Sequence, residues 1–379
     1  MIDHRVTQYA RLLVETCLDV QPEWQVIVGG STLARPLVEE VSRLVGRRGA
    51  YALQRVSLDG AGLNVPWACE APEELLSEPA PILRYEMEHA DAYLTIDAPE
   101  NTRQTSAVSP ERLALLQAGT RPLLQRILDY ELRWIGCQYP TPALAQDAGM
   151  SLAAFEDFLF GACLLDWDAE RKRMRGYADR FEEAEEVRIV ADGTDLTLGV
   201  AGRTFRVDAG GSTANMPGGE FFTSPLEDSA SGTIAFTEFP AVHGGREVTG
   251  LRLHFEQGRV VDASATANEE FLIAQLDTDD GARRLGELGI GCNPGITRYM
   301  KNTLFDEKID GTIHLALGQS LPEVGGTNES RIHWDLVKDL RPRPEPHHRA
   351  EPDGAGGQGQ GGRIELDGEV VQQDGRWLI

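Results

Sequence analysis

The sequence predicts an α/β N-terminal domain followed by a mainly β C-terminal domain with an inserted helix, α+β overall. Three observations carry this reading. Strands alternate with helices through the first half, and short alternating runs between Gly and Asp turns fill the second. A chain of 379 residues, at roughly 150 residues per domain, has room for two domains. The boundary is drawn at 1–182 and 183–379.

Residues 6–19 (VTQYARLLVETCLD) space their apolar side chains as an amphipathic helix does. QVIVGG at 25–30 is a short apolar strand closed by glycines. ARPLVEEVSRLVGRRG at 34–49 then reads as a helix ending in glycine, and YALQRVSL as a strand. DAYLTIDAP (91–99) and LRWIGCQYP (132–140) are further strands, separated by the proline-started helix SPERLALLQAG. This alternation implies a parallel sheet. The glycines after QVIVGG do not form G-x-G-x-x-G, so no nucleotide is inferred. Beyond about 185 come VRIVAD, TDLTLGV, RTFRVDAG, GTIAFTEFP, GLRLHFEQGRVVDASA, GTIHLALG and RIHWDLV, with turns at 192–195 and 256–259. One helix, 268–289, interrupts them. Residues 341–362 are Pro-rich, then Gly/Gln-rich, and read as a flexible insert. A terminal hairpin, RIELDGEVVQQDGRWLI, closes the chain.

Composition narrows the function. Hydrophobic residues at 41% and charged residues at 25% suit a soluble globular protein. The 36 Lys and Arg against 60 Asp and Glu leave a net charge of −24, which repels nucleic acid and anionic membrane. The 5 cysteines are scattered and never form C-x-x-C, which argues against both disulfides and a cysteine–zinc module. The first twenty residues lack the pattern of a signal peptide, and no window is apolar enough to span a membrane. A reduced, cytoplasmic, soluble protein is expected.

The candidate chemistry lies between 215 and 335. In RIHWDLV, an extended chain puts Ile332, Trp334 and Leu336 on one side and His333 with Asp335 on the other. That spacing suits two ligands of one metal or a bridge between two, and equally a surface strand with its polar face outward. In TIHLALG, His314 lies opposite an apolar face, with small Ala316 and Gly318 beside it, which also fits a buried structural histidine. Glu220 follows the Pro-Gly-Gly turn of NMPGGEFF. Glu287, in LGELGIGCNPG, sits at a helix end dissolving into glycines. Such loops let an acid approach an ion, and also hold ordinary solvated acids. Glu307, ahead of the His314 strand, can reach the same place. Glu227, Asp228, Glu247 and Glu329 read as surface charges, and His347–His348 as a solvated pair in the insert.

Together these segments resemble the M29 metallo-aminopeptidases, the aminopeptidase T/AmpS family. The resemblance rests on NMPGGEFFTSPLEDS, GTIAF, GLRLHFEQGRVVDASA, LDTDDGARRLGELGIGCNPGI, LFDEKIDGTIHLALG and GGTNESRIHWDLVKDL, in order, and runs from YARLLVETCLDV to DGEVVQQDGRWL. It implies metal ligands at Glu220, Glu287, His314, His333 and Asp335, and a catalytic acid at Glu307. It implies two divalent ions (Zn, Co, Mn or Mg), a shared water made nucleophilic by them, short peptide substrates and a homodimer. Many members carry Tyr where this chain has Leu321, so no hydroxyl acts there. Two other readings stand beside this one. His314, His333 and Asp335 alone would form the triad of a mononuclear iron(II) ring-cleaving dioxygenase, which has no need of Glu220 and Glu287. A binding protein without turnover would have lost a ligand.

Overall fold

The structure, a computed structural model, describes residues 3–58, 63–128, 131–210, 215–342 and 361–379. It divides into two compact units: 1–165 with 210–218, and 166–209 with 219–379. The His347–His348 pair and most of the insert lie outside the described residues.

The first unit is built on a five-stranded sheet, in the order Tyr51–Ser57, Gln25–Ser31, Ala92–Asp97, Arg133–Gln138, Asn215–Met216, parallel throughout. Val26, Ile27 and Val28 are all buried, as expected of a parallel strand covered on both faces. The helix Arg35–Arg47 buries Leu37, Val38, Val41, Leu44 and Val45 along one stripe. The opening helix runs His4–Arg11 and widens into a π-helical turn at Leu12–Cys17. The fifth strand arrives from beyond residue 210, a contribution that no local pattern in the first half announces.

The second unit carries two larger antiparallel sheets. One has eight strands and includes the terminal hairpin Arg363–Leu366, Glu369–Gln373, with Arg376–Trp377 at the edge beyond it. Its Asp367-Gly368 turn has both φ values positive, 49° and 86°, the geometry that Asp-Gly favours. The other has five strands, ordered His333–Asp339, Thr312–Gly318, Leu285–Gly291, Glu220–Thr223, Arg206–Asp208. The boundary read after residue 182 falls at the end of a helix, Trp167–Glu182, that belongs to this second unit. The reason is aromatic packing: Phe181 meets Phe205 and Phe221 edge-on at 5.4 and 5.1 Å.

The single helix expected over 268–289 is corrected. It stops at Leu276, and Leu285–Gly291 is a strand. Asp279 caps the backbone of Ala282 in the intervening turn. Three glycines in seven residues disfavour helix. As a strand they let neighbours close in: a Cβ at Gly286 or Gly291 would lie 2.1 Å from the Gln319 carbonyl or 2.2 Å from that of Ile309.

Asp97, at the end of its strand in the first unit, accepts a bond from Gln138 Nε2 at 3.2 Å. Burial still pushes its carboxyl up from 3.8 to about 6. The folded chain therefore keeps a proton that the unfolded chain releases, so stability falls as pH rises through this window. Asp97→Asn removes the fall. Its stability advantage should grow by on the order of 2 kcal/mol between pH 4.5 and 8 in urea titrations; an advantage independent of pH would show that burial is not the cause.

Candidate metal centre

The site grows out of the register of the five-stranded sheet. Opposed pairs run Gly318–His333, then Glu287–Ala316–Asp335, then Gly289–His314–Val337, with Glu220 opposite Gly291 at the far side. Residues opposed across an antiparallel pair share a face, as do alternate residues along a strand. Glu220, Glu287, His314, His333 and Asp335 thus occupy one face, with Gly289, Gly291, Ala316 and Gly318 between them. The small residues are the floor that lets large polar side chains crowd together.

One irregularity is decisive for this arrangement. Leu285 pairs with Leu317 but Glu287 pairs with Ala316, so Gly286 is the extra residue of a bulge. The bulge shifts the register by one and turns Glu287 onto the face of His314. Glu287 therefore lies in a strand, not at a helix end.

The side chains converge closely. His314 Nε2 lies 3.4 Å from Glu287 Oε1 and 3.5 Å from Glu220 Oε2. His333 Nε2 lies 3.2 Å from Glu287 Oε2 and 3.4 Å from Asp335 Oδ1. Each imidazole turns its other nitrogen to a backbone carbonyl, Nδ1 of His314 to Glu307 at 3.1 Å and Nδ1 of His333 to Gln319 at 2.8 Å. Such bonds hold Nδ1 as the donor and leave Nε2 to face the carboxylates, the orientation of a ligating histidine. Glu307 comes from the turn after the short helix Thr303–Asp306. It pairs with Lys308, whose Nζ also reaches Glu220 Oε1 at 3.0 Å.

Burial sets the electrostatics. Desolvation pushes Glu220 up to about 8 although Lys308 pulls the other way, and it raises Glu307 too. For Glu287, bonds from both imidazoles overcome desolvation and hold the carboxyl well below its usual range. The imidazoles answer in kind. Desolvation opposes their charge, but the carboxylates raise His314 to about 10 and His333 to about 12. Buried charges this dense demand cations.

The donor set fits divalent metal. Glu287, His333 and Asp335 bring one ligand atom each within 4.8 Å of one another, and so do Glu307, His314 and Asp335. Asp335 belongs to both triads. Glu220 Oε2 is buried without a hydrogen-bond partner, the mark of an acceptor lacking its cation. The structure thus brings all six residues singled out in the sequence into one cluster. Sequence reasoning missed Lys308, which in the charged run Asp-Glu-Lys looks like a surface residue but is fully buried. It also missed Gly289, which gives no signal except glycine in a strand. Leu321, half-buried, is held by its amide bond to Ser224 Oγ at 2.9 Å.

An oxygen-rich set of carboxylates and two imidazoles on a β-sheet, largely buried except for exposed His333, is the donor set of a divalent-metal enzyme. The sequence profile of the thermophilic metalloprotease (M29) family matches residues 2–343, and the chain belongs to that family. It is 29% identical to Aminopeptidase 2 of Geobacillus stearothermophilus, covering 88% of this chain and 92% of that one. Wild-type AmpT from Thermus thermophilus superposes with a TM-score of 0.82 at 24% identity, over 100% of both chains. A 2,5-dihydroxypyridine dioxygenase of Pseudomonas putida does so at 0.57 and 16% identity, over 99% and 96%. These two likenesses speak to the fold.

Gly289 offers a direct test of the floor. A Cβ there would lie 2.0 Å from His314 Cε1, so Gly289→Ala must displace the imidazole. We expect divalent-metal affinity to fall about tenfold or more, measured by competition with a chromophoric chelator. Unchanged affinity would show that His314 does not bind the metal from this position.

Proposed function

We propose that this chain, a metal-dependent aminopeptidase by family, removes the N-terminal residue of short peptides at a centre of two divalent ions. The observation that supports two ions is the pair of triads meeting at Asp335. One ion falls to His314 and Asp335, with Glu307 beside it as the proton carrier, the other to Glu287, His333 and Asp335. Glu220, its free oxygen beside His314, completes the first. Charge points the same way: Glu220, Glu287, Glu307 and Asp335 gather around a single lysine, Lys308. Mixed oxygen and imidazole donors accept Zn, Co, Mn or Mg.

Bound there, the ions would acidify a water and polarise the scissile carbonyl. The chain's own groups do the rest. Glu307, raised by burial and steadied by Lys308, is suited to take a proton from the water and pass it to the leaving amine. Lys308 keeps Glu220 and Glu307 apart in charge while both stay buried. Asp335 and Glu287 fix the imidazoles. A mononuclear iron triad of His314, His333 and Asp335 is less well supported, because the two imidazoles fall in different triads and Glu220 and Glu287 would be left uncompensated. The homodimer belongs to the same proposal. So does a cytoplasmic location, which the five free cysteines, four of them buried, fit.

The test is release of p-nitroaniline from leucine-p-nitroanilide by chelator-stripped protein. We expect no release until cobalt or zinc is added, and at least a hundredfold less from Glu220→Ala with the same metal, on the order of 3 kcal/mol of transition-state stabilisation. No release with any divalent metal, across a panel of amino-acid anilides, would contradict the reading.

A further inference from the structure

A cavity of about 200 Å³ opens in the first unit, where the helix Pro81–His89 overhangs the edge strand Tyr51–Ser57 of the parallel sheet. Ile27, Leu53 and Ala90 give it an apolar base, and Arg55 and Glu86 a polar side. We propose that this cavity is a binding site for a free α-amino acid with a large apolar side chain, built from none of the metal-centre residues. Such amino acids are what an aminopeptidase releases, so the link of the site to turnover, and only that link, rests on the function proposed above.

The register makes the cavity. Gln25 pairs with Tyr51, Ile27 with Leu53 and Gly29 with Arg55, and alternate residues of a strand share one face. On the helix, Ile82, Tyr85, Glu86 and His89 recur at i, i+3, i+4 and i+7, a stripe that ordinarily packs dry against its neighbour. Here it leaves a gap instead: Ile82 is 68% and Tyr85 58% exposed, and Leu53 is only half-buried. The gap is held in shape. Arg126 donates to the carbonyls of Met87 at 2.6 Å and Ala90 at 3.4 Å, at the end of the helix. Tyr85 and His89 stack at 3.9 Å with an interplanar angle of 19°, and Asp91 accepts from the Gln25 amide at 2.8 Å. A preformed cavity spares a ligand much of the cost of ordering its site.

Size and charge choose the ligand. An apolar cavity of about 150 Å³ accepts benzene, so this one takes a single side chain of leucine or phenylalanine size. At its polar side Arg55 Nε donates to Glu86 Oε2 at 3.2 Å and Nη2 donates to Oε1. The two charges cancel. A lone anion would meet Glu86 and the strong acidic excess of the chain, net −24. A lone cation would find Glu86 already answered by Arg55. A zwitterion suits both: its carboxylate takes the guanidinium while its ammonium takes Glu86, so each charge keeps a partner as the pair opens. Arg55 is exposed and can swing on its strand, whereas Glu86 is half-buried and fixed on the helix. The side chain of the amino acid then falls on Ile27, Leu53 and Ala90.

Calorimetric titration of L-leucine, L-phenylalanine and glycine into the full chain, loaded with zinc and again stripped of it, separates this cavity from the metal centre, where binding follows the zinc. We expect zinc-independent binding of leucine and phenylalanine with a Kd on the order of 1 mM or tighter, and glycine at least about tenfold weaker. Leucinamide and N-acetylleucine, each lacking one charge, should also bind about tenfold weaker. Arg55→Gln and Ile82→Asp should each weaken leucine about tenfold or more, with zinc content and anilide turnover at the parent level. Ile82 is exposed, so its variant decides should Arg55→Gln fail to fold. No zinc-independent binding up to about 10 mM, or leucine affinity within twofold of the parent in both variants, would overturn the inference. So would leucinamide or N-acetylleucine binding as tightly as leucine. A chain inactive on every anilide would overturn the function proposed above and leave this binding result standing, so the two failures are distinct.

Discussion

Four carboxylates, two imidazoles and one lysine crowd together on one face of a sheet, with only His333 open to water, and the rest of the second unit is arranged around that fact. Like charges so close repel unless cations stand among them. Lys308 supplies one cation from the protein itself, with no exposure to water. It is tied to Glu220 and Glu307, so these two acids remain buried without waiting for an ion. The others, Glu287 and Asp335, lean on the imidazoles. The small floor residues follow from the same constraint. Gly289 leaves the volume that the His314 ring occupies, and the Gly286 bulge aims Glu287 at it. The two central strands of the site, Thr312–Gly318 and Leu285–Gly291, therefore contribute both a donor and a gap.

The sequence shows much of this, and the parts it hides have physical causes. The H-x-D and T-I-H runs are legible because strand alternation is local, and both proved to have their apolar partners buried. The strands of both halves are legible for the same reason. Glu287 is harder, since FLIAQL upstream has helical character and nothing local marks where it ends. Whether Glu287 faces His314 depends on a bulge, which is a property of two strands. Lys308 looks like a surface residue because charge runs are usually solvated, and only the fold shows it enclosed. The helix at 167–182 is misassigned by a boundary drawn on texture, since Phe181 finds its partners at 205 and 221. The fifth strand of the first sheet, at Asn215–Met216, pairs across nearly eighty residues and leaves no local trace.

The fold alone does not decide the chemistry. A peptidase and a ring-cleaving dioxygenase both superpose on this chain over nearly its full length, so the site must be argued from its donors. Here the distinguishing features are the extra acids. Glu220 and Glu287 sit among the imidazoles rather than beside them, and Asp335 stands where two sets of donors meet. A single ion held by one triad would leave the other triad's imidazole without a metal. Family membership favours the peptidase over the dioxygenase, through a different line of argument.

The central claim is therefore a number of ions. Equilibrium dialysis of the chelator-stripped chain against zinc, followed by metal analysis at saturation, measures it directly. Two divalent ions per chain, falling to one or fewer in Asp335→Ala, is the result this account predicts. One ion per chain at saturation in the parent would contradict it and return the site to a mononuclear chemistry.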